Sequence, residues 1–577
     1  KSISNGLYKS IKRFPLTILL SVAVASMLIA ISELQPINNS ILSETLNRIT
    51  MILALGIPLS LCIKTFWESR ANKNTIALIA YYLSGVITLV LYYFFLLNKI
   101  DTVEISRYAG VSLALYLTFL FIPYLANVDR FEMYIIKIFT GLFTTIVYSV
   151  VLFAGLSAII FALDKLLGIS LSDNAYFYTW ILVVCVFAPT YFLAGIPLRD
   201  DRQRESSYPK IIRVLFLYII MPLLAAYTTI LYIYFIKIVL TQEWPIGLVS
   251  HLVLWYSVIV AVVLFFITPI RDENRWARLF TAWFPRVIIP ILIMMFFSMG
   301  IRVKAYGVTE NRYYVILLGL WVSGVMIYYS LAKVKKNIIP FVALSIIAVV
   351  SVFGPLSSFS ISKTSQNSRF QGILKRNNMI EDGQILKAPE DIAQEDKDET
   401  SRILDYFEYN HSFDDIKNLP LGFKREDMND IFGFSYEQAR YEYGGEWFSF
   451  EAGTLGGPMD ISGYDYMYTT MAFGGRQDTP NSELYVKFDR DSGKMDIIHE
   501  NASIYSKDLE AIAKGIIEDH RSISSDYIIP KDGMTIIDEN EQIKVKIIFI
   551  YIGGENDVSA QEMKINNIEF QLLFTLK

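Results

Sequence analysis

The feature that most limits how this chain can fold is a series of apolar runs, each close to a bilayer in length. A helix rises 1.5 Å per residue, so about 20 apolar residues cross a hydrocarbon core of about 30 Å. Eleven stretches approach that length: 14–31, 47–67, 76–97, 108–125, 138–163, 176–197, 214–236, 246–268, 287–303, 313–332 and 338–360. Residues 1–360 therefore read as a polytopic α-helical membrane domain of about 11 transmembrane helices. The first stretch, "KRFPLTILLSVAVASMLIAI", has the basic start of a signal peptide. It is long, shows no clear cleavage site and precedes ten more, so it reads as a retained anchor.

Charge divides the chain in the same place. Residues 1–360 hold 29 Lys+Arg against 16 Asp+Glu, and residues 361–577 hold 23 against 40. Such asymmetry points to two environments. Short basic loops stay in the cytoplasm. With the N-terminus inside, cytoplasmic segments carry 21 of the basic residues and the opposite loops 8. The expected location is the bacterial cytoplasmic membrane. An odd number of spans then places the C-terminal part outside the cytoplasm.

Cysteine and motif content exclude several kinds of chemistry. Cys62 and Cys185 are the only two cysteines and both lie in apolar runs, so no disulfide framework or Cys-rich zinc site is expected. The four histidines, His251, His411, His499 and His520, are scattered. There is no Gly-rich Lys-Ser/Thr phosphate loop, no His-Glu-x-x-His and no Gly-x-Ser-x-Gly elbow, and no cofactor is implied. No Asp or Glu sits near the centre of a span; Asp164 is at a boundary and His251 a turn inside one. That disfavours a carboxylate proton relay and leaves uniport, lipid handling and scaffolding.

The stretch "RVKAYGVTENRYYVILLGLW" gathers Arg302, Lys304, Tyr306, Glu310, Asn311, Arg312 and Tyr313 at one membrane boundary. "TQEWPIGLVSH", with Glu243, Trp244 and His251, faces the same side. Two readings stand side by side. Arg302, Lys304 and Arg312 grip an anionic group such as a lipid phosphate, because a guanidinium binds oxygens in pairs. Alternatively Glu310 pairs with an arginine as a clasp between helix ends. Tyr306-Gly307 reads as a turn under both.

"EWPIGLVSHLVLWYSV" and "IRVKAYGVTENRYYVILLGLWVSG" resemble the core of a bacterial integral membrane family labelled domain of unknown function 4153. The likeness extends through "WFPRVIIPILIMM" and "SRFQGILKRNNMIEDGQI" and covers roughly residues 120–390. It implies a membrane protein and, as the label says, no activity and no residue roles.

Prolines at 58, 123, 189, 222, 290 and 340 interrupt spans. They either open a cavity or reflect ordinary membrane-helix packing, as Gly141, Gly155 and Ala158 also do. Trp276, Phe280 and Trp283 have the spacing of a short amphipathic helix in the interface, or of an aromatic belt.

Residues 361–440 read as a helical juxtamembrane segment, with "SRFQGILKRNN", "EDKDETSRILDYFEYN" and "FKREDMNDIFGF" as helices and "MIEDGQI" as a turn. From 441 to 577 alternation takes over, giving a β-rich extracytoplasmic domain, either α+β or β-sandwich-like. Asp491-Ser492-Gly493 closes a hairpin, and one helix, Ser506–Arg521, has Ser506 as its cap. The segment's acidity excludes nucleic acid. Its aromatic, glycine-rich stretch offers either an envelope-glycan face or ordinary sheet core. The expected partners are the bilayer, an anionic lipid or glycan, and other membrane proteins. The expected function is that of a non-enzymatic envelope component, the alternatives being a lipid-processing enzyme using Glu310 or His251, or a glycan sensor.

Overall fold

The computed structural model describes residues 2–577 apart from 35–39, 71–73, 126–130, 168–171, 173, 198–207, 242–247, 333–334, 437–447, 454–460, 471–482, 491, 501, 521–527 and 558–561. The chain forms two compact units, Lys1–Arg369 and Phe370–Lys577.

In the first unit α1 (Ser2–Arg13) precedes α2 (Pro15–Leu34), α3 (Ser40–Ser69), α4 (Thr75–Leu96), α5 (Thr102–Phe121) and α6 (Phe131–Leu167). There follow α7 (Ala175–Ala194), α8 (Lys210–Thr241), α9 (Leu248–Ile267), α10 (Arg275–Tyr306) and α11 (Glu310–Leu331). Among the described residues ten helices, α2 to α11, are long and apolar enough to cross a membrane. Short polar residues set several of their starts. Asn74 accepts from the Ile76 amide at 2.9 Å, Asp101 from Val103 and Glu104 at 3.0 and 3.1 Å, and Asn274 from Trp276 at 2.8 Å. Each satisfies an amide that has no partner within the helix.

The core runs through α9, α10 and α11. Val253, Val260 and Ile267, seven residues apart, are fully buried, as are Ile288, Ile291, Met295, Val322 and Met326. By contrast α4 turns Ile76, Leu83, Ile87, Phe94 and Phe95 outward, and α6 exposes Phe143, Val150 and Val151. A continuous apolar exterior of this extent suits lipid, not water.

The eleventh apolar stretch is helical only over α12 (Ile338–Val350), 13 residues and therefore about 20 Å. A turn follows, then the polar α13 (Ser358–Arg376). At one end of α12, Asn337 accepts from the Tyr329 hydroxyl at 2.9 Å and donates to Glu132 at 2.6 Å. Beyond its other end, the Leu356 carbonyl accepts from the Tyr313 hydroxyl at 2.6 Å. Tyr329 and Tyr313 lie at opposite ends of α11, so α12 and its turn run the length of a spanning helix. At 13 residues α12 is not one of the ten long apolar helices, although with its turn it runs beside the whole of α11.

The prolines are built into helix contacts. A π-turn, Val183–Phe187, precedes Pro189, and another, Leu215–Ile220, precedes Pro222. Pro189 cannot serve the Cys185 carbonyl, which instead accepts from Ser21. Pro285 likewise releases Thr281, whose carbonyl accepts from Lys335 at 3.4 Å. Neighbouring side chains satisfy what proline leaves open, which favours packing over a cavity. The short interfacial helix, one of the two readings around Trp276, is not separate. It is the start of the 32-residue α10, with Phe280 buried and Trp276 and Trp283 outward.

In the second unit the end of α13 packs Phe370, Ile373 and Leu374 with Leu404 and Phe407 of α14 (Gln394–Asn410) and Phe432 of α15 (Met428–Phe432). Strands β1 (Ile380–Glu381) and β2 (Gln384–Ile385) form a hairpin whose Asp382 and Gly383 both have positive φ, as a two-residue turn requires.

Later come β3 (Phe448–Ala452), β4 (Tyr466–Thr469), β5 (Leu484–Asp489), β6 (Lys494–His499) and β7 (Ala502–Asp508). After α16 (Leu509–His520) follow β8 (Ile528–Ile529), β9 (Thr535–Glu539), β10 (Ile543–Asp557) and β11 (Glu562–Leu576). One sheet has the order β4-β11-β10-β3-β8, with β9 also on β10; the other is β5-β6-β7. Ile543, Val545, Ile547 and Phe549 face a core shared with Met495, Ile497, Leu509 and Ala513, while Lys544 and Lys546 alternate with them. The β5–β6 hairpin forms as expected, with Gly493 at φ 65° and Asp491 outside the described residues. Ser506 does not cap α16. It lies within β7, and Asp508 accepts from the Ala511 amide at 3.0 Å instead.

Candidate functional site: the helix junction at Gly307

The end of α10 and the start of α11 meet α13. Gly307 has φ 69°, and its amide donates to the Val303 carbonyl at 2.8 Å, ending α10. A Cβ there would lie 2.6 Å from Arg369 Cδ and 3.0 Å from Gln366 Nε2, so both conformation and space demand glycine. The Val308 amide donates to Ser365 Oγ at 2.9 Å. Gln366 Nε2 donates to the carbonyls of Tyr306 and Val308 at 3.2 and 3.1 Å.

Arginines complete the junction. Arg312 Nη1 donates to the Gly307 and Tyr306 carbonyls at 2.9 and 3.2 Å and lies 5.5 Å from the Tyr306 ring. Arg369 Nη2 donates to the Ala305 carbonyl at 2.7 Å. These are the orphan carbonyls at a helix C-terminus, where the dipole is negative, so cations belong there. The same device recurs at other boundaries. Arg48 donates to the Leu97 carbonyl at the end of α4, and Arg13 to the Ile196 carbonyl, both at 2.6 Å.

Arg302 stands apart. It is a charged neighbour of Arg312, as is Arg369, and its Nε is buried and makes no hydrogen bond with any described residue. Three guanidiniums therefore share one helix end. Tyr313 is buried and Tyr314 meets Ser358 Oγ at 3.0 Å, while Tyr306, Lys304 and Asn311 are exposed. Glu310 occupies the first turn of α11.

Of the other expected site residues, Glu243 and Trp244 lie outside the described residues. His251 is exposed at the start of α9. Its neighbour Ser250 reaches Ser298, one turn before Arg302, at 3.5 Å, so α9 begins beside this junction. Ser365, Gln366 and Arg369 were not among the expected residues. The polar run "SFSISKTSQNSR" directly after an apolar stretch is the signal that marks them.

The family description "Domain of unknown function (DUF4153)" matches residues 16–385. The match starts about a hundred residues earlier than the motif likeness and ends with β2. Among curated proteins, the uncharacterized protein PM1469 of Pasteurella multocida (strain Pm70) is 22% identical over 408 residues, covering 69% of this chain and 68% of the relative. No solved structure matches. With well over half its length inside that match, the spanning helices α2 to α11 included, the chain belongs to the DUF4153 family.

Proposed function

We propose that this protein is a non-enzymatic component of the bacterial cytoplasmic membrane that holds an anionic phospholipid headgroup at the Gly307 junction. The observation that carries the reading is Arg302, whose buried Nε has no partner among the described residues, and which shares with Arg369 the charged neighbour Arg312. Like charges are costly together unless an anion joins them. A phosphate suits guanidinium geometry, and the exposed Tyr306 ring covers one side. Arg312 and Arg369 have a second duty as staples on helix carbonyls, so binding and scaffolding share one structure. The excess of basic residues in loops on one side supports a cytoplasmic N-terminus. Eleven traverses then put the acidic second unit on the far side.

The test is mass spectrometry of lipids retained by protein purified gently from native membranes, wild type beside Arg302→Ala. The reading expects an anionic phospholipid enriched on the wild type and lost from a variant of unchanged thermal stability. A wild type that carries anionic lipids only in their bulk proportion would overturn it.

A further inference from the structure

A second polar cluster lies where α4 ends and α5 begins, and it has a different charge. Tyr92 is 6% exposed, four residues before the end of α4. Glu104 and Arg107 occupy the first turns of α5, with side chains 13% and 30% exposed and a separation of 3.8 Å. Tyr92 Oη, Glu104 Oε2 and Arg107 Nε are all buried, and none makes a hydrogen bond with a described residue. Arg107 is also a charged neighbour of the Tyr92 hydroxyl and lies 6.0 Å from the Phe353 ring. Three such atoms in one place call for a partner, because each buried polar group left unsatisfied is costly.

The surrounding charges are already engaged. Asp101 caps α5 and pairs with Lys99 at 3.0 Å, and Arg48 serves the Leu97 carbonyl. What remains is one carboxylate oxygen that accepts, one guanidinium nitrogen that donates and one hydroxyl that does either. Their formal charges cancel, so a simple anion leaves Glu104 without a donor and a simple cation leaves Arg107 without an acceptor.

We infer that this cluster binds a zwitterion with a primary ammonium and a phosphate, the chemistry of a phosphatidylethanolamine headgroup. The phosphate meets Arg107 Nε and the Tyr92 hydroxyl, and the ammonium donates to Glu104 Oε2. The site is independent of Arg302 and differs from it in charge.

The full chain in nanodiscs of equal parts phosphatidylethanolamine, phosphatidylcholine and phosphatidylglycerol tests this, with retained lipid read by native mass spectrometry. Phosphatidylcholine has no ammonium hydrogen, so wild type should prefer phosphatidylethanolamine to it by about tenfold, roughly one charge-assisted hydrogen bond. Glu104→Gln should bring that ratio near one, and the isosteric Tyr92→Phe, in a protein that still folds, should lower the retention of both lipids and leave their ratio in place. Arg302→Ala should leave it unchanged. Equal retention of the two lipids by wild type, or only ordered water on the three atoms in an experimental structure, would overturn the inference.

Discussion

In Lys1–Arg369, Arg48, Arg312 and Arg369 donate to backbone carbonyls at helix ends, alongside ion pairs such as Lys99–Asp101, whereas in Phe370–Lys577 Arg376 and Arg425 pair with carboxylates. Arg376 Nε meets Asp396 at 3.0 Å, Arg425 meets Asp405 at 2.6 Å and Lys507 meets Asp538 at 2.6 Å. Arg13 bridges the two habits, pairing with Glu68 at 2.7 Å while serving Ile196. The difference follows from the surroundings. Apolar helices packed in lipid contain few carboxylates, and their exposed termini are the main acceptors available. A domain in water can carry many acids, and ion pairs there fix local geometry.

Substitutions sharpen this contrast. The largest effect is expected in the second unit. Asp405 is 8% exposed and accepts from both Arg425 and the Tyr436 hydroxyl. Asp405→Ala leaves Arg425 without its inner partner and should cost about 3 kcal/mol or more. Hydrogen exchange of the full chain should then speed up in α14 and α15 while α10 and α11 stay protected.

Gly307→Ala comes next. A residue with a Cβ at φ 69° that also crowds Arg369 should lose roughly 2 kcal/mol, seen as a lower melting temperature in detergent and faster exchange at the end of α10. Arg312→Gln should follow at about 1.5 kcal/mol, since it removes charge-assisted bonds from two carbonyls. If stapling of carbonyls is its role, Arg312→Lys recovers part of that loss.

The smallest effect is a pH response confined to the second unit. Hydrogen bonds from Arg376, then Asn377, hold the Asp396 carboxyl below the usual range despite its burial. Its stabilising contribution is complete above the unfolded-state value of about 3.9 and is lost as pH falls through the lower folded value. Burial pushes the Asp405 carboxyl the other way, against the bonds from Tyr436 and the charge of Arg425. Its charged form therefore costs stability at high pH, a cost relieved as pH falls through the raised value. Acidification should loosen the start of α14 around Asp396 before it loosens the middle, as hydrogen exchange at stepped pH will report.

Much of this architecture was legible in the residues. Apolar length located every spanning helix, but α3, α6 and α10 begin 7, 7 and 12 residues before their apolar runs, because a helix continues past the run that marks it. The alternation in "QIKVKIIFIYIG" and "NIEFQLLFTL" located β10 and β11. The short α12 was not legible, since "SVFGPLSSF" continues an apolar run and only its turn residues separate the helix from α13. The cap of α16 was missed because Ser506 and Asp508 both suit the position, and pairing of β7 with β6 decides between them. At the junction, charge named Arg302 and Arg312. The acceptors of Arg312 are main-chain carbonyls, and no side-chain pattern announces those.

The central proposal is that the chain traverses the membrane an odd number of times, the last with the short α12, with the basic loops on one side and the acidic unit on the other. Single-cysteine labelling tests it directly. Ser492→Cys places a thiol on the exposed β5–β6 turn, and Asp272→Cys places one in the basic loop before α10. In spheroplasts a membrane-impermeant maleimide should label position 492 at once and position 272 only after permeabilisation. Labelling of both positions without permeabilisation, or of 272 alone, would contradict the account.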